Sequence, residues 1–362
     1  MRIDLGIYSV LLAGGLGLAY WASLPKSDDS ETKVSIISFD PASVKELAYV
    51  SEDITSKATR LADDKKFWVT LSKVDPKQNK PKDPKETPKE GEKPPEPTPP
   101  APPKVETFLA NEQMEELLTS LNPLQALRVI GKIENEKMAE EFGLKDSAQA
   151  FVVTSGDPKA PKKLEIKIGK KSYGSANRFV LNTQDNKVYL VDEGPFEKLR
   201  KADFRLFERR IVAFAFEEIT RALIKVGEKE KAILHTKRDD KGALQWSDDQ
   251  ENANIKPIYR NWLDKVEKLK VIAYADPAQK TALESLQPFL EIKFEKDGTV
   301  IDTLTFKKLD PDPSIDTSKP EKDGKPPATL SYWIGSQFLQ SYGKIGNNRI
   351  DVIEKDIPSV LE

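Results

Sequence analysis

At 362 residues the chain is long enough for two domains, each burying its own core. Its 57 Lys+Arg and 59 Asp+Glu leave a formal charge of -2, which excludes the basic field that nucleic-acid binding requires. The absence of Cys excludes disulfides, thiolate metal sites, iron-sulfur clusters and cysteine nucleophiles.

Residues 5–24 carry no charge, and at about 1.5 Å rise per residue they match the roughly 30 Å hydrocarbon core of a bilayer. The pattern predicts a transmembrane anchor over residues 1–25, with Tyr20 and Trp21 at the interface and Pro25 ending the helix. Arg2 precedes the apolar run, and Asp28, Asp29 and Glu31 follow it. This charge order places the N-terminus in the cytoplasm and the rest of the chain in the periplasm. A cleaved signal peptide is the rival reading, but the run is longer than a signal core and Tyr20-Trp21-Ala22 is a poor cleavage site. Ser9, Ala13 and Gly17 are spaced by four, as are Gly15, Ala19 and Ser23, so both stripes are candidate packing surfaces for another membrane helix. Ordinary transmembrane composition explains them equally simply.

Residues 75–104 contain eleven Pro and almost no large apolar side chain, so they read as an extended, disordered insertion. An internal repeat places this stretch inside a module rather than between two. Ile36-Ile37-Ser38-Phe39 followed by Val44 reappears as Ile211-Val212-Ala213-Phe214 followed by Ile219, and each opens paired strands ending near Trp68 or Trp246. An amphipathic helix follows in each copy, at residues 111–121 and 258–266. The next strand reads Leu127-Arg128-Val129-Ile130 in one copy and Leu269-Lys270-Val271-Ile272 in the other. Ile168-Gly169 aligns with Ile334-Gly335, and the closing Tyr189-Leu190-Val191-Asp192 aligns with Asp351-Val352-Ile353-Glu354, each read as a strand before a short helix.

The predicted modules are residues 34–212 and 213–362, the second with its own loop insertion at 309–328. Strand-rich runs at 149–154, 187–192, 290–294 and 299–306, with a hairpin signal at Gly298, make each module α+β: a largely antiparallel sheet with a few short helices on one face.

The membrane run, Phe39-Asp40-Pro41, the Trp-bearing strand, Phe142-Gly143-Leu144, Ile168-Gly169 and Val188-Tyr189-Leu190-Val191 together resemble domain-of-unknown-function family 4340. The similarity is read as good over residues 34–212 and looser in the second copy, where Ala215-Phe216 stands for Asp40-Pro41. The resemblance implies a bacterial envelope protein, encoded beside gliding-motility-type ABC transporter components and acting as an accessory or scaffold without a catalytic site to carry over.

Motifs for chemistry are sparse. His235, the sole histidine, sits in an ordinary strand pattern. Asp310-Pro311-Asp312-Pro313 with Asp316 offers carboxylates, but it lacks the Gly and closing Glu of a calcium loop and reads as a solvated turn. Asp239-Asp240 and Asp248-Asp249 read as turns, and Gly14-Gly15-Leu16-Gly17 lies in the apolar run rather than in a phosphate loop. Trp68, Trp246, Trp262 and Trp333 fit core packing better than a glycan platform, and the basic run at 205–210 covers the junction between copies. The expectation is therefore a single-pass inner-membrane protein with no cofactor, metal or enzymatic activity, partnered by an inner-membrane complex such as ABC transporter subunits. A periplasmic ligand- or glycan-binding module is the alternative, and a hydrolase ranks last.

Overall fold

The computed structural model describes residues 34–62, 66–74, 103–156, 161–238, 242, 244–249, 254–313 and 329–362. The expected anchor, with Ser9, Ala13, Gly15, Gly17, Ala19, Tyr20 and Trp21, lies outside the described residues, as do most of the two insertions, Asp239-Asp240 and Asp316. Among the described residues no helix is long and apolar enough to cross a membrane.

The protein is a mixed α+β structure built on two large antiparallel sheets. The first half runs β1 (Ser35–Ile37), β2 (Val44–Val50), β3 (Ile54–Arg60), β4 (Phe67–Lys73), β5 (Lys104–Leu109), α1 (Gln113–Ser120), β6 (Leu124–Gln125), β7 (Arg128–Lys132) and α2 (Glu136–Glu141). It continues with β8 (Ala150–Ser155), β9 (Lys162–Lys171), β10 (Asn177–Asn182), β11 (Lys187–Asp192), α3 (Gly194–Arg200) and α4 (Ala202–Arg205). The second half runs β12 (Arg221–Val226), β13 (Lys229–Arg238), β14 (Leu244–Asp248), α5 (Pro257–Glu267), β15 (Val271–Tyr274) and α6 (Pro277–Ser285), then β16 (Leu290–Lys296), β17 (Thr299–Leu309), β18 (Ser331–Gly335), β19 (Tyr342–Ile345) and α7 (Asn347–Leu361).

The nine-stranded sheet has the order β5-β4-β3-β2-β8-β9-β10-β11-β7, and the eight-stranded sheet β14-β13-β12-β16-β17-β18-β19-β15. With β5 set aside, the two orders correspond strand for strand, and α1, α2 and α3 correspond to α5, α6 and α7. The openings match too: 3-10 turns at Pro41–Ser43 and Phe216–Glu218 precede β2 and β12, with Asp40 capping the first through Ala42 N–H (3.0 Å) where Ala215 stands in the second.

Period-two patterning makes the strands. Phe67, Val69 and Leu71 on β4, and Leu164, Ile166 and Ile168 on β9, face the core while their neighbours turn outward. Met114, Leu117 and Leu118 form the buried stripe of α1, and Ile350, Ile353, Ile357 and Val360 that of α7. Asp297 and Gly298, both at positive φ (50° and 78°), turn β16 into β17 as the hairpin signal predicts.

Four sequence readings are corrected. Lys104 is not the end of a loop but the first residue of β5, an added edge strand paired with β4. Asp351, Val352, Ile353 and Glu354 lie in helix α7, so the counterpart of Tyr189–Asp192 is β19. Ile168-Gly169 ends on β9 whereas Ile334-Gly335 lies on β18, the counterpart of β10. Helices also cover both faces. Tyr332 enters the main core, but the next residue, Trp333, packs with Leu309 and Leu283 of α6 on the opposite side, so α6 lies across the sheet from α5 and α7.

Candidate functional site

The most distinctive geometry lies where the two sheets meet. Residues 206–210 connect the halves, and this linker is hydrogen-bonded to both edge strands. On one side Phe207 bridges antiparallel to Ala110, Glu208 N–H donates to Leu109 O (2.9 Å), and Asn111 N–H donates to Leu206 O (2.8 Å). On the other side Val271 N–H at the start of β15 donates to Arg209 O (2.9 Å). The connection therefore sits between the end of β5 and the start of β15, and pairs Leu109 O on the one and Val271 N–H on the other.

Aromatic side chains fill the seam. Phe108 meets Phe207 at 5.0 Å between ring centroids, Phe207 meets Tyr274 at 5.4 Å, and Tyr274 meets Trp68 edge-on at 5.5 Å, so first sheet, linker and second sheet share one stack. One contiguous cluster of buried side chains consequently runs through both halves.

The polar groups at the seam are paired. Glu208 is 3% exposed, and its carboxylate takes the Arg210 guanidinium in a fork, at 2.7 Å to Nη2 and 3.1 Å to Nε, plus the Arg210 backbone N–H at 2.8 Å. Arg210 also reaches Glu112 (3.0 Å). Burial, then the Glu208 charge, pushes the Tyr274 hydroxyl well above its ordinary pKa. From the first half, Lys66 donates to Phe338 O (3.2 Å) and its ammonium lies 4.6 Å from the Phe338 ring centroid. Ser336 donates to Ile211 O (3.0 Å). The loop at 336–338 is braced from within by Asp302, which accepts Thr303 N–H (2.7 Å) and Gln337 N–H (3.0 Å). Burial raises the Asp302 carboxyl pKa against the opposing pull of those donors and of Lys66.

A second polar cluster lies under α6. Asp312 accepts from Lys344 Nζ (2.7 Å) and Gln279 Nε2 (2.9 Å), while the buried Lys307 Nζ donates to Leu283 O (2.7 Å) and the Tyr342 hydroxyl (3.1 Å). The expectation of a solvated turn therefore fails for Asp312, whose charge is neutralised by a lysine from β19 that no local sequence signal announces. Asp310 accepts from Thr329 Oγ1 (2.6 Å). Asp248 and Asp249 are ion-pair acceptors: Asp248 takes Lys231, Lys256 and the Tyr259 hydroxyl, and Asp249 takes Arg221.

His235 lies opposite Trp246 on the β13–β14 ladder, with ring centroids 5.6 Å apart. Trp246, Trp262 and Trp333 are fully buried and Trp68 is half-buried in the seam. The motif residues Phe142-Gly143-Leu144 and Ile168-Gly169 prove to be neighbours: Lys170 N–H donates to Phe142 O (2.9 Å) where the end of α2 docks on β9. Among the described residues no group of three or more His, Asp or Glu is placed to hold a metal ion. Sequence reasoning missed Glu208 and Asp302; an acid inside an otherwise apolar and basic junction, Phe207-Glu208-Arg209-Arg210, was the available signal for the first.

The family described as Domain of unknown function (DUF4340) matches residues 101–288, a stretch from the end of the Pro-rich insertion, through the seam, to just beyond α6. The match bears out the resemblance over residues 101–212 of the first copy and extends through about half of the second. No curated protein and no solved structure matches the chain.

Proposed function

The chain belongs to the DUF4340 family, and from that premise we propose that it is a membrane-anchored periplasmic scaffold or accessory protein. It acts by protein-protein contact in an envelope complex of the ABC-transporter type. The observation that carries this reading is the linker at 206–210, bonded on both edges to β5 and β15. A two-lobed enzyme or binding protein works by closing about a hinge, and hinges are residues that can change φ and ψ freely. Here the connecting residues are tied to both lobes and stacked between them, which suits a rigid spacer that holds partners at fixed separation. The strand-for-strand correspondence of the halves supports their origin by tandem duplication of one module. The anchor over residues 1–25 rests on the uncharged run at 5–24.

The ligand-binding alternative needs open aromatic surface between the lobes, and Trp68, Phe207 and Tyr274 instead pack on one another. Affinity purification from native membranes in mild detergent tests the scaffold reading. Transporter-type membrane subunits are expected to co-purify with the wild type and to be lost with Gly17→Leu, and their consistent absence from the wild-type eluate refutes it.

A further inference from the structure

Elsewhere on the first sheet Lys57 meets Glu46, Lys73 meets Asp203, Lys163 meets Glu165 and Lys171 meets Glu193. The β7 edge differs. This strand is paired with β11 alone, and among the described residues no carboxylate pairs with its Arg128 and Lys132 or with Lys187 beside them. Lys132 stands directly opposite Lys187, an arrangement of like charges that costs stability. The Asp185 carboxylate near Lys187 is already engaged by the Lys187 N–H (3.0 Å) and the Tyr189 hydroxyl. Val129 is opposite Tyr189, two residues from Lys187 on β11, so Val129, Lys132 and Lys187 share one face, and Leu127 joins them. Arg128 is on the other face of the same edge. Leu127 and Val129 are 44% and 43% exposed, and Val34, whose carbonyl accepts Ala126 N–H (2.8 Å), is 38% exposed. Cations by themselves blunt an edge strand against pairing, but that role calls for no exposed aliphatic side chains among them.

We propose that this edge is a membrane-docking surface, in which Arg128, Lys132 and Lys187 meet the phosphates of anionic lipid headgroups while Val34, Leu127 and Val129 rest against the interface. The inference builds on the reading of residues 5–24 as an anchor. From Leu24 to Val34 the chain advances ten residues, a reach of at most about 35 Å, so the patch beside Val34 stays close to the bilayer that the anchor would span. Cations interleaved with aliphatic side chains are what an anionic interface binds, and each added Lys or Arg near such a surface strengthens the contact by about fivefold. A second copy fits less well, since two such edges bring six unpaired cations together. Docking here fixes the first sheet against the membrane, and the seam then carries the second sheet with it. The acids Asp28, Asp29 and Glu31 are the rival counter-charge, and the experiment separates them from lipid.

The chain has no Cys, so Val129→Cys places a fluorophore at one defined position, and Val300→Cys, at an exposed residue of β17, serves as control. The full-length protein is reconstituted in phosphatidylcholine vesicles carrying a headgroup nitroxide quencher, with or without phosphatidylglycerol at about one lipid in three. Quenching at position 129 is expected to be about fivefold stronger with phosphatidylglycerol, and quenching at position 300 to be the same in both. Raising the salt to about 1 M, where the Debye length falls to about 3 Å, is expected to abolish the difference in the labelled protein without any further substitution. The combined Arg128→Glu, Lys132→Glu and Lys187→Glu variant is expected to do the same at low salt. Equal quenching at position 129 in both vesicles overturns docking, as it must if the chain's own acids satisfy the patch, and leaves the anchor standing when the protein floats with the vesicles. Failure to float overturns the anchor and the docking together. A label open in vesicles but shielded in native membranes makes the occupant a protein and overturns the lipid assignment.

Discussion

Tyr274, the last residue of β15, donates its hydroxyl proton across the seam to the main-chain carbonyl of Glu208, 3.2 Å away, while its ring packs between Phe207 and Trp68. The second sheet is thus joined to the linker by a hydrogen bond and by aromatic contact, and substitution separates the two. Tyr274→Phe keeps the ring and is expected to cost about 1 kcal/mol. Phe207→Ala empties the middle of the stack at about 3–5 kcal/mol. Calorimetry is expected to show one cooperative transition for the wild type and for Tyr274→Phe, and two separated transitions for Phe207→Ala. A single transition in all three assigns the coupling elsewhere.

Glu208 and Arg210 set up a different dependence. The carboxylate is buried and the guanidinium that neutralises it is partly solvated, so removing either partner has unequal consequences. Arg210→Met leaves a buried charge and is expected to cost about 3 kcal/mol, whereas Arg210→Met combined with Glu208→Gln recovers most of that loss. Urea denaturation of the single and double variants measures the difference; a double variant as unstable as Arg210→Met makes lost packing, not stranded charge, the cause.

Two carboxyls shift in opposite directions with pH. Hydrogen bonding from Arg200, aided by Lys201 against the cost of burial, holds Glu197 at about 2, below its ordinary 4.5. Its folded value is the lower, so its contribution to stability is present above pH 4.5 and is lost as pH falls toward about 2. Glu197→Gln is expected to flatten that acid slope. Asp302 is raised above its ordinary 3.8 by burial, so its stability contribution is full below that value and declines as pH rises through the folded one. Asp302→Asn keeps an oxygen for Thr303 N–H and Gln337 N–H and is expected to be at least as stable as the wild type at neutral pH. Denaturation from acid to neutral pH checks both signs.

The elements legible in the sequence were those with strong local periodicity. The helices α1 and α5, the strand β7 and the hairpin at Asp297-Gly298 lie where apolar spacing and turn chemistry place them, whereas β15 starts two residues later than read and Trp68 and Trp246 belong to a third strand, β4 or β14, rather than ending a pair. The closing alignment failed because Asp351-Val352-Ile353-Glu354 holds adjacent apolar residues that read as a strand, while Ile350, Ile353, Ile357 and Val360 recur at helical spacing over a longer window. β5 was hidden because Lys104, Val105 and Glu106 follow directly on Pro-rich sequence, and its pairing with β4 is a property of the sheet. The burial of Asp302 and Asp312 was illegible for a related reason, whereas Glu208 carried a local signal in its partner Arg210 two residues on. Asp312 is held by Lys344, thirty-two residues away, and Asp302 accepts from Gln337 N–H, thirty-five residues away, besides its neighbour Thr303, so burial depends on contacts that no local window contains.

Gly169 ties the motif residues to the packing of α2. A Cβ built there lies 2.3 Å from Phe142 O and 3.1 Å from Leu144 Cγ, and the first of these is backbone, itself accepting Lys170 N–H. No flexible side-chain end can move aside, so Gly169→Ala forces the end of α2 away from β9 at an expected cost of about 1–3 kcal/mol. The loss is expected to be local. Amide exchange of Leu144 and Lys145, whose N–H groups bond back to Ala139 O, is expected to quicken, while that of α6, the counterpart on the second sheet, stays unchanged. Gly227→Ala is the control. Its φ of +57° strains a side chain but nothing lies within 4 Å of the added methyl, so its cost of about 1–2 kcal/mol comes from backbone conformation alone and leaves the exchange of α2 untouched. Equal exchange of Leu144 in the two variants removes the contact with Phe142 as the reason for glycine at position 169.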